Sequence, residues 1–195
     1  MAIKVNGTTV IDDSRALSNI ASVDATTAAA LGAAGVGGAT TLLVDNASVS
    51  PGTSTIEVSF TGTYRMYIIQ FVNVGTTSTG FSSRYKDSGG TLITNNFYYH
   101  SSKGGTALQE SYMYHSSENG RPVDALMFVH DPHSSGSYSQ MHNFVNANIN
   151  EFFGWGRQSI DNASETHSAI VFTNGAPTGG TFSGGNYSVW GVSGG

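Results

Sequence analysis

The chain of 195 residues contains no cysteine, few charged side chains and no long apolar run. The absence of cysteine excludes disulfide bridges and thiolate metal sites, so the fold has to be held by its core or by contacts between subunits. No stretch reaches the roughly 18 apolar residues that a transmembrane helix needs, so we expect no membrane insertion. The N-terminal MAIKVNG has no apolar segment of signal-peptide length, which predicts that the protein is made in the cytoplasm.

Charged residues make up 11% of the chain, and the net charge is −5. Average proteins have about a quarter of their residues charged. The eight Lys and Arg residues are scattered, whereas nucleic-acid binding needs clustered basic side chains, so we expect no nucleic-acid partner. Glycine, serine, threonine and asparagine must therefore form most of the polar surface. A weakly charged surface of this kind is typical of a surface-exposed or assembled β protein.

The N-terminal segment predicts a hairpin followed by a short helix. Residues 3–5 and 8–11 alternate in polarity around Asn6-Gly7, which is the strongest short-range hairpin signal. Asp24 is placed to cap a helix over residues 25–31. A helix this short is not stable alone, so its apolar side chains need the main domain or neighbouring subunits. The predicted oligomerisation or docking residues are Leu17, Ile20, Val23 and Leu31. We therefore expect an attachment or oligomerisation segment at residues 1–40 and a second domain at 41–195.

The second domain consists of short runs of aromatic and β-branched residues separated by Gly, Ser, Asn and Pro turns. This spacing predicts a mainly β protein: an antiparallel β-sandwich, jelly-roll-like, after the short N-terminal hairpin and helix. Residues 64–74 are interpreted as a central strand buried on much of both faces. Residues 107–115 fit either a helix or a strand. The last strand is expected inside its sheet, and its Trp190 is either a core residue or an exposed contact residue.

Two segments together resemble bacteriophage virion proteins. The pattern I-x-V-N-G-x-x-V-I-D at residues 3–12, followed by Arg15, Leu17, Asn19 and Ile20, resembles the N-terminal module of tail-fibre and other virion proteins. The remainder, residues 55–192, looks like a β-sandwich domain of phage structural proteins. Its motifs are YRMYIIQF at 64–71, GWGR at 154–157, AIVF at 169–172, GTFSGG at 180–185 and YSVWGV at 187–192. These are packing motifs, so the resemblance implies no active site.

The resemblance implies a structural component of the virion, oligomeric and with a trimer favoured. The leading prediction is a short tail fibre or tip protein that contacts the host surface. The alternative is a head decoration, cement or head-fibre protein that bridges capsomers. The expected partners are further copies of the chain, other virion proteins and, for a tail protein, a host-surface glycan. An exposed Tyr/Asn patch would favour the tail protein, and a broad apolar underside would favour the head protein.

Aromatic side chains beside amides could form a glycan-binding patch by stacking on sugar rings. The candidate ligand-contact residues are Tyr98, Tyr99, Tyr112 and Tyr114. The alternative is that they divide between the core and subunit contacts, because tyrosine is common in strands.

A third function, glycan depolymerase, would need two carboxylates facing one groove. The acidic candidates are Glu110, Glu118, Asp124, Asp131 and Glu151. None has a distinctive setting and no Gly-x-Ser-x-Gly is present, so we expect no enzyme.

Histidines offer the last chemical possibility. His130, Asp131 and His133, with His142 downstream, have a spacing that a metal site could use. No ligand pair matches a zinc motif, and a polar turn around Pro132 explains the same residues, so we expect no metal and no cofactor. His100 and His115 follow tyrosines and are expected at the surface or in an interface.

Overall fold

The computed structural model describes residues 3–5, 8–11, 26, 40–77, 79–94, 98–102, 108–110, 113–119, 122–133, 139–147, 153–160, 166–174 and 179–193. The chain divides into two compact units, Met1–Gly38 and Ala39–Gly195. In the first unit, strand β1 (Ile3–Val5) pairs antiparallel with β2 (Thr8–Ile11), which confirms the predicted hairpin. Of the predicted helix only Thr26 is described. The predicted docking residues Leu17, Ile20, Val23 and Leu31 lie outside the described residues.

The second unit is an antiparallel β-sandwich, as predicted. Its strands are β3 (Thr40–Ser48), β4 (Thr55–Ser59), β5 (Met66–Thr76), β6 (Thr79–Asp87), β7 (Tyr98–Ser102), β8 (Leu108–Glu110), β9 (Met113–Asn119), β10 (Val123–His130), β11 (Gln140–Ala147), β12 (Phe153–Ile160), β13 (His167–Asn174) and β14 (Phe182–Val192). The large sheet has eight strands in the order β3-β14-β5-β10-β11-β12-β7-β8, and the small sheet has four in the order β4-β13-β6-β9. The last strand lies inside the large sheet, as expected.

The core fills the space between the two sheets. Alternate residues of each central strand point inward, as in β10, where Val123, Ala125, Met127 and Val129 are buried. Three aromatic rings join the sheets at its centre: Phe71 from the large sheet lies 5.1 Å from Phe81 and 4.8 Å from Phe172, both edge-to-face. Such contacts add to the free energy that burial of the rings already contributes.

This architecture tests two predictions from the sequence, one about the burial of β5 and one about residues 107–115. β5 is central, but only one of its faces is buried: Tyr67, Ile69 and Phe71 point inward, whereas Gln70 and Val72 are exposed. The expectation of burial on both faces was wrong, because the small sheet covers only the inner side. Residues 108–110 belong to β8 and residues 113–115 to β9, so the described part of the ambiguous segment 107–115 is extended.

A buried polar bridge links the two sheets near their centre. His115 on β9 has its Nε2 2.8 Å from Ser83 Oγ on β6 and its Nδ1 3.0 Å from Asn143 Nδ2 on β11. The expectation that His115 lies at the surface or in an interface was therefore wrong: these non-local partners satisfy its ring inside the core. Partners from two other strands thus contact both ring nitrogens of His115.

The edge strand β3 is irregular where it meets β14. Its register shifts on both sides of Val189, and Asn46 has a positive φ of 44°. The Asn46 backbone N–H donates to Ser188 Oγ at 2.9 Å. The extra residue bends the strand and interrupts its hydrogen-bonding pattern.

The C-terminal end of β14 packs closely on an aromatic pair. Tyr67 O–H donates to the Thr61 carbonyl at 2.8 Å, and the Tyr64 ring lies 5.8 Å from the Tyr67 ring. Gly191 on β14 lies directly under Tyr64, because a Cβ at position 191 would lie 2.5 Å from Cγ of that ring. The absence of a side chain at Gly191 is therefore a packing requirement.

We expect Gly191→Ala to lower the free energy of unfolding by about 1–3 kcal/mol, because the added methyl group displaces the Tyr64 ring. Urea denaturation monitored by fluorescence measures the change. Gly62→Ala is the matched control, since a Cβ there has no neighbour within 4 Å. Equal stability of the two variants would contradict the packing assignment.

His167 on β13 is a second buried histidine, with 1% of its surface exposed. Its Nδ1 lies 2.8 Å from Ser139 Oγ, and its ring centroid lies 4.7 Å from that of Tyr85. Burial lowers the pKa of His167 to about 4, because the charged imidazolium loses its hydration. Its backbone N–H donates to the Pro132 carbonyl at 2.7 Å, which fixes β13 against the segment that follows β10.

We expect His167 to make the protein less stable as the pH falls from about 6.5 towards 4. The unfolded chain binds a proton on this residue near pH 6.5, whereas the folded protein resists it, and the loss approaches about 3 kcal/mol. Urea denaturation at pH 7 and pH 4.5 measures it. His167→Gln should have a shallower pH dependence than the wild type, and the same change at the exposed His142 is the control. A slope unaltered by His167→Gln would disprove the assignment.

Candidate interaction surface

The outer face of the large sheet, opposite the core, is apolar at its centre. Residues directly opposite on neighbouring antiparallel strands share a face. Leu126 on β10 is opposite Gln70 and Phe144, and Phe128 is opposite Ile68 and His142. All of these residues alternate with buried ones. We call the following set the outer patch: Ile68, Gln70, Val72, Leu126, Phe128 and Phe144.

Large apolar side chains of the outer patch are open to solvent. Phe144 is 46% exposed, Val72 46% and Leu126 37%. The rings of Phe128 and Phe144 meet edge-to-face with centroids 6.3 Å apart. Gln70, Val72, Asp124, Leu126 and Phe144 line a depression of about 360 Å³. A contiguous apolar area on the outside of a sheet is characteristic of an interaction site.

The apolar surface continues across the sheet from β10 to β3. Ile68 is opposite Trp190 on β14, and Trp190 is opposite Leu42 on β3. Leu42 is 47% exposed, and Trp190 is half-buried. Trp190 lies on the outer face and is not among the core residues, so the core role is wrong and the contact role stays a prediction.

Titratable side chains lie at the two ends of the outer patch. Asp124 starts β10 and is exposed, and its Oδ1 accepts a hydrogen bond of 2.7 Å from the Asn73 backbone N–H. His130 ends β10, and its ring centroid lies 5.3 Å from that of His142. Partial burial and then the neighbouring His142 lower the pKa of His130, against a smaller rise from Asp131. The patch therefore has a carboxylate at one end and two imidazoles at the other.

The structure separates the histidines that the sequence places close together. His130 and His142 face outward, whereas the His133 ring packs against Phe60 of the core, with centroids 6.3 Å apart. Across the described residues, no group of three or more His, Cys, Asp or Glu side chains could hold a metal ion. The polar turn around Pro132 is the arrangement observed.

The candidate glycan-contact residues are spread over two sheets. Tyr98 and Tyr99 belong to β7 in the large sheet, and Tyr114 belongs to β9 in the small sheet. Tyr112 lies outside the described residues, as do the side chains of the other three. The glycan patch therefore stays a prediction.

Among the acidic candidates, the two with described side chains, Asp124 and Asp131, lie at opposite ends of β10 and do not face one groove.

The outer patch was not among the sites predicted from the sequence, although a signal for it exists. Residues 125–129, Ala-Leu-Met-Phe-Val, are apolar at every position. Alternate burial places Ala125, Met127 and Val129 in the core, so Leu126 and Phe128 must be apolar on the other face. A continuous apolar run in an antiparallel strand with one core face indicates a second apolar surface.

Comparison with known proteins adds no family to these observations. No protein-family model matches the chain. No curated protein is significantly similar to it in sequence. Within the described residues, no helix has the length and apolar character needed to cross a membrane.

Proposed function

We propose that this protein is a structural subunit of a bacteriophage virion that is held in its assembly through the outer patch. The observation that carries the proposal is the exposure of Val72, Leu126 and Phe144 on one face of the sandwich. Burial of apolar surface is favourable by about 25 cal/mol per Å². Such a face therefore has a strong tendency to associate. An assembly that covers the outer patch would relieve this exposure.

The composition of the patch supports a permanent protein contact. Its apolar centre has one neutral amide, Gln70, and its titratable residues lie at the ends. Protein interfaces likewise have few charges at the centre and a polar rim. The resemblance of residues 3–20 to phage attachment modules supports the virion as the setting, with a homo-oligomer as the expected form.

A head decoration or cement protein is the first of two candidate roles. A broad apolar underside is the feature expected of a subunit that lies on capsomers, and the outer patch together with Trp190 and Leu42 has this character. The alternative is a short tail fibre or tip protein, favoured by the paired strands β1 and β2, which fit the fibre-type N-terminal module. In a trimeric fibre the outer patch would be covered by neighbouring subunits. The proposal includes no catalytic activity.

We expect the double substitution Leu126→Asp with Phe144→Asp to reduce incorporation into particles at least tenfold while the isolated chain still folds. The added carboxylates stay hydrated on the free subunit but would be desolvated in an interface. Quantitative immunolabelling of purified particles by negative-stain microscopy measures incorporation, and thermal melting checks folding.

The matched control is Ser59→Asp, which adds a carboxylate at an exposed position of β4 in the small sheet. This variant should be incorporated like the wild type. Label over the head supports the decoration role, and label at the tail supports the fibre role. Normal incorporation of the double variant would contradict the proposed use of the outer patch.

A further inference from the structure

The titratable side chains differ between the two ends of the outer patch. Asp124 lies at one end of β10, and His130 lies at the other, beside His142 on β11. Arg65 and Asp131 also lie near the histidine end. Their Nε and Oδ1 atoms are 4.0 Å apart, so the two charges compensate each other. In the described residues, the face of β5, β10 and β11 thus has a carboxylate at one end, apolar side chains in the middle and two imidazoles at the other end.

Because the two ends differ, the two ways in which identical faces can stack bring different side chains together. Face-to-face pairing of two copies requires a twofold axis that lies in the plane between them. An axis parallel to the strands would place Asp124 over Asp124 of the second copy, and His130 over His130. An axis across the strands would reverse the second copy, so that each Asp124 lies over a His130. Only the second arrangement brings complementary groups together.

The register of the sheet gives the position of this axis. Met127 is opposite both Ile69 and Asn143, and it is the midpoint between Asp124 and His130. An axis along this row places Leu126 over Phe128 of the second copy. Leu126 and Phe128 then meet at the centre, whereas Phe144 lies over His142 and Gln70 over Ile68 of the second copy. A carboxylate accepts a hydrogen bond from an imidazole N–H whether or not the imidazole is charged, so the outer contacts are favourable in both states.

We infer that the outer patch pairs with a second copy of this chain about a twofold axis that runs across the strands, with Asp124 of each copy facing His130 of the other. This inference rests on the proposed function, since it names the partner that covers the same patch. It adds a twofold contact between sandwiches to whatever association the N-terminal segment provides.

The absence of cysteine makes a direct test possible. Two single-cysteine proteins, Asp124→Cys and His130→Cys, are treated separately and as a mixture with a bismaleimide that spans about 10 Å, the usual spacing of packed sheets. In the mixed pair the two thiols face each other, and the Asp124–His130 contact at the other end stays intact. In either pure protein, the thiols would be about 20 Å apart along the strands.

The expected result is cross-linked dimer in the mixture at more than about ten times the yield in either pure protein, measured by denaturing electrophoresis. Adding Leu126→Asp and Phe144→Asp to both proteins should abolish it, which excludes random collision. Thermal melting confirms that each variant is folded. Equal yields in all three samples, or a dimer of Asp124→Cys alone, would overturn the twofold arrangement.

The test separates this inference from the proposed function. If the mixture does not cross-link but the Leu126→Asp, Phe144→Asp variant still fails to enter particles, the patch binds a different virion protein and the self-pairing is wrong. If that variant is incorporated normally, the proposed function itself is wrong.

Discussion

The packing of one small sheet against one large sheet is the constraint on which the rest of the structure depends. The contacts of Phe71 with Phe81 and Phe172 hold the sheets together and define the inside of the sandwich. Because side chains alternate along a strand, choosing the inner residues of β5 and β10 also chooses the outer ones. The position of the outer patch is therefore a consequence of core packing.

The strands of this protein are largely predictable from local patterns, but their environment is not. The alternation in β4, the turn signal between β1 and β2, and the bounds of β10 all follow from neighbouring residues in the chain. Which face of an apolar strand is covered depends on another sheet that is distant in sequence. For this reason β5 was expected to be buried on much of both faces, and the apolar run at 125–129 did not by itself show which of its residues face outward.

The histidines show the same limit in electrostatic terms. His115 follows a tyrosine at a position that fits the surface, yet Ser83 and Asn143 come from two other strands to satisfy both of its nitrogens. His130 and His133 are close in sequence, but His130 lies beside His142 on the outer face and His133 packs against Phe60 of the core. The side-chain partners that decide whether an imidazole is a core residue, a surface residue or a ligand are non-local, so spacing alone cannot identify them.

The irregular strand β3 affects whether further strands can be added to that edge of the large sheet. A straight edge strand exposes backbone groups on which further strands can be added without limit, as in fibrils. The left-handed Asn46 and the shifted register of β3 interrupt that template. A further strand could therefore not continue the hydrogen-bonding pattern of β3 past Asn46 without a matching irregularity of its own.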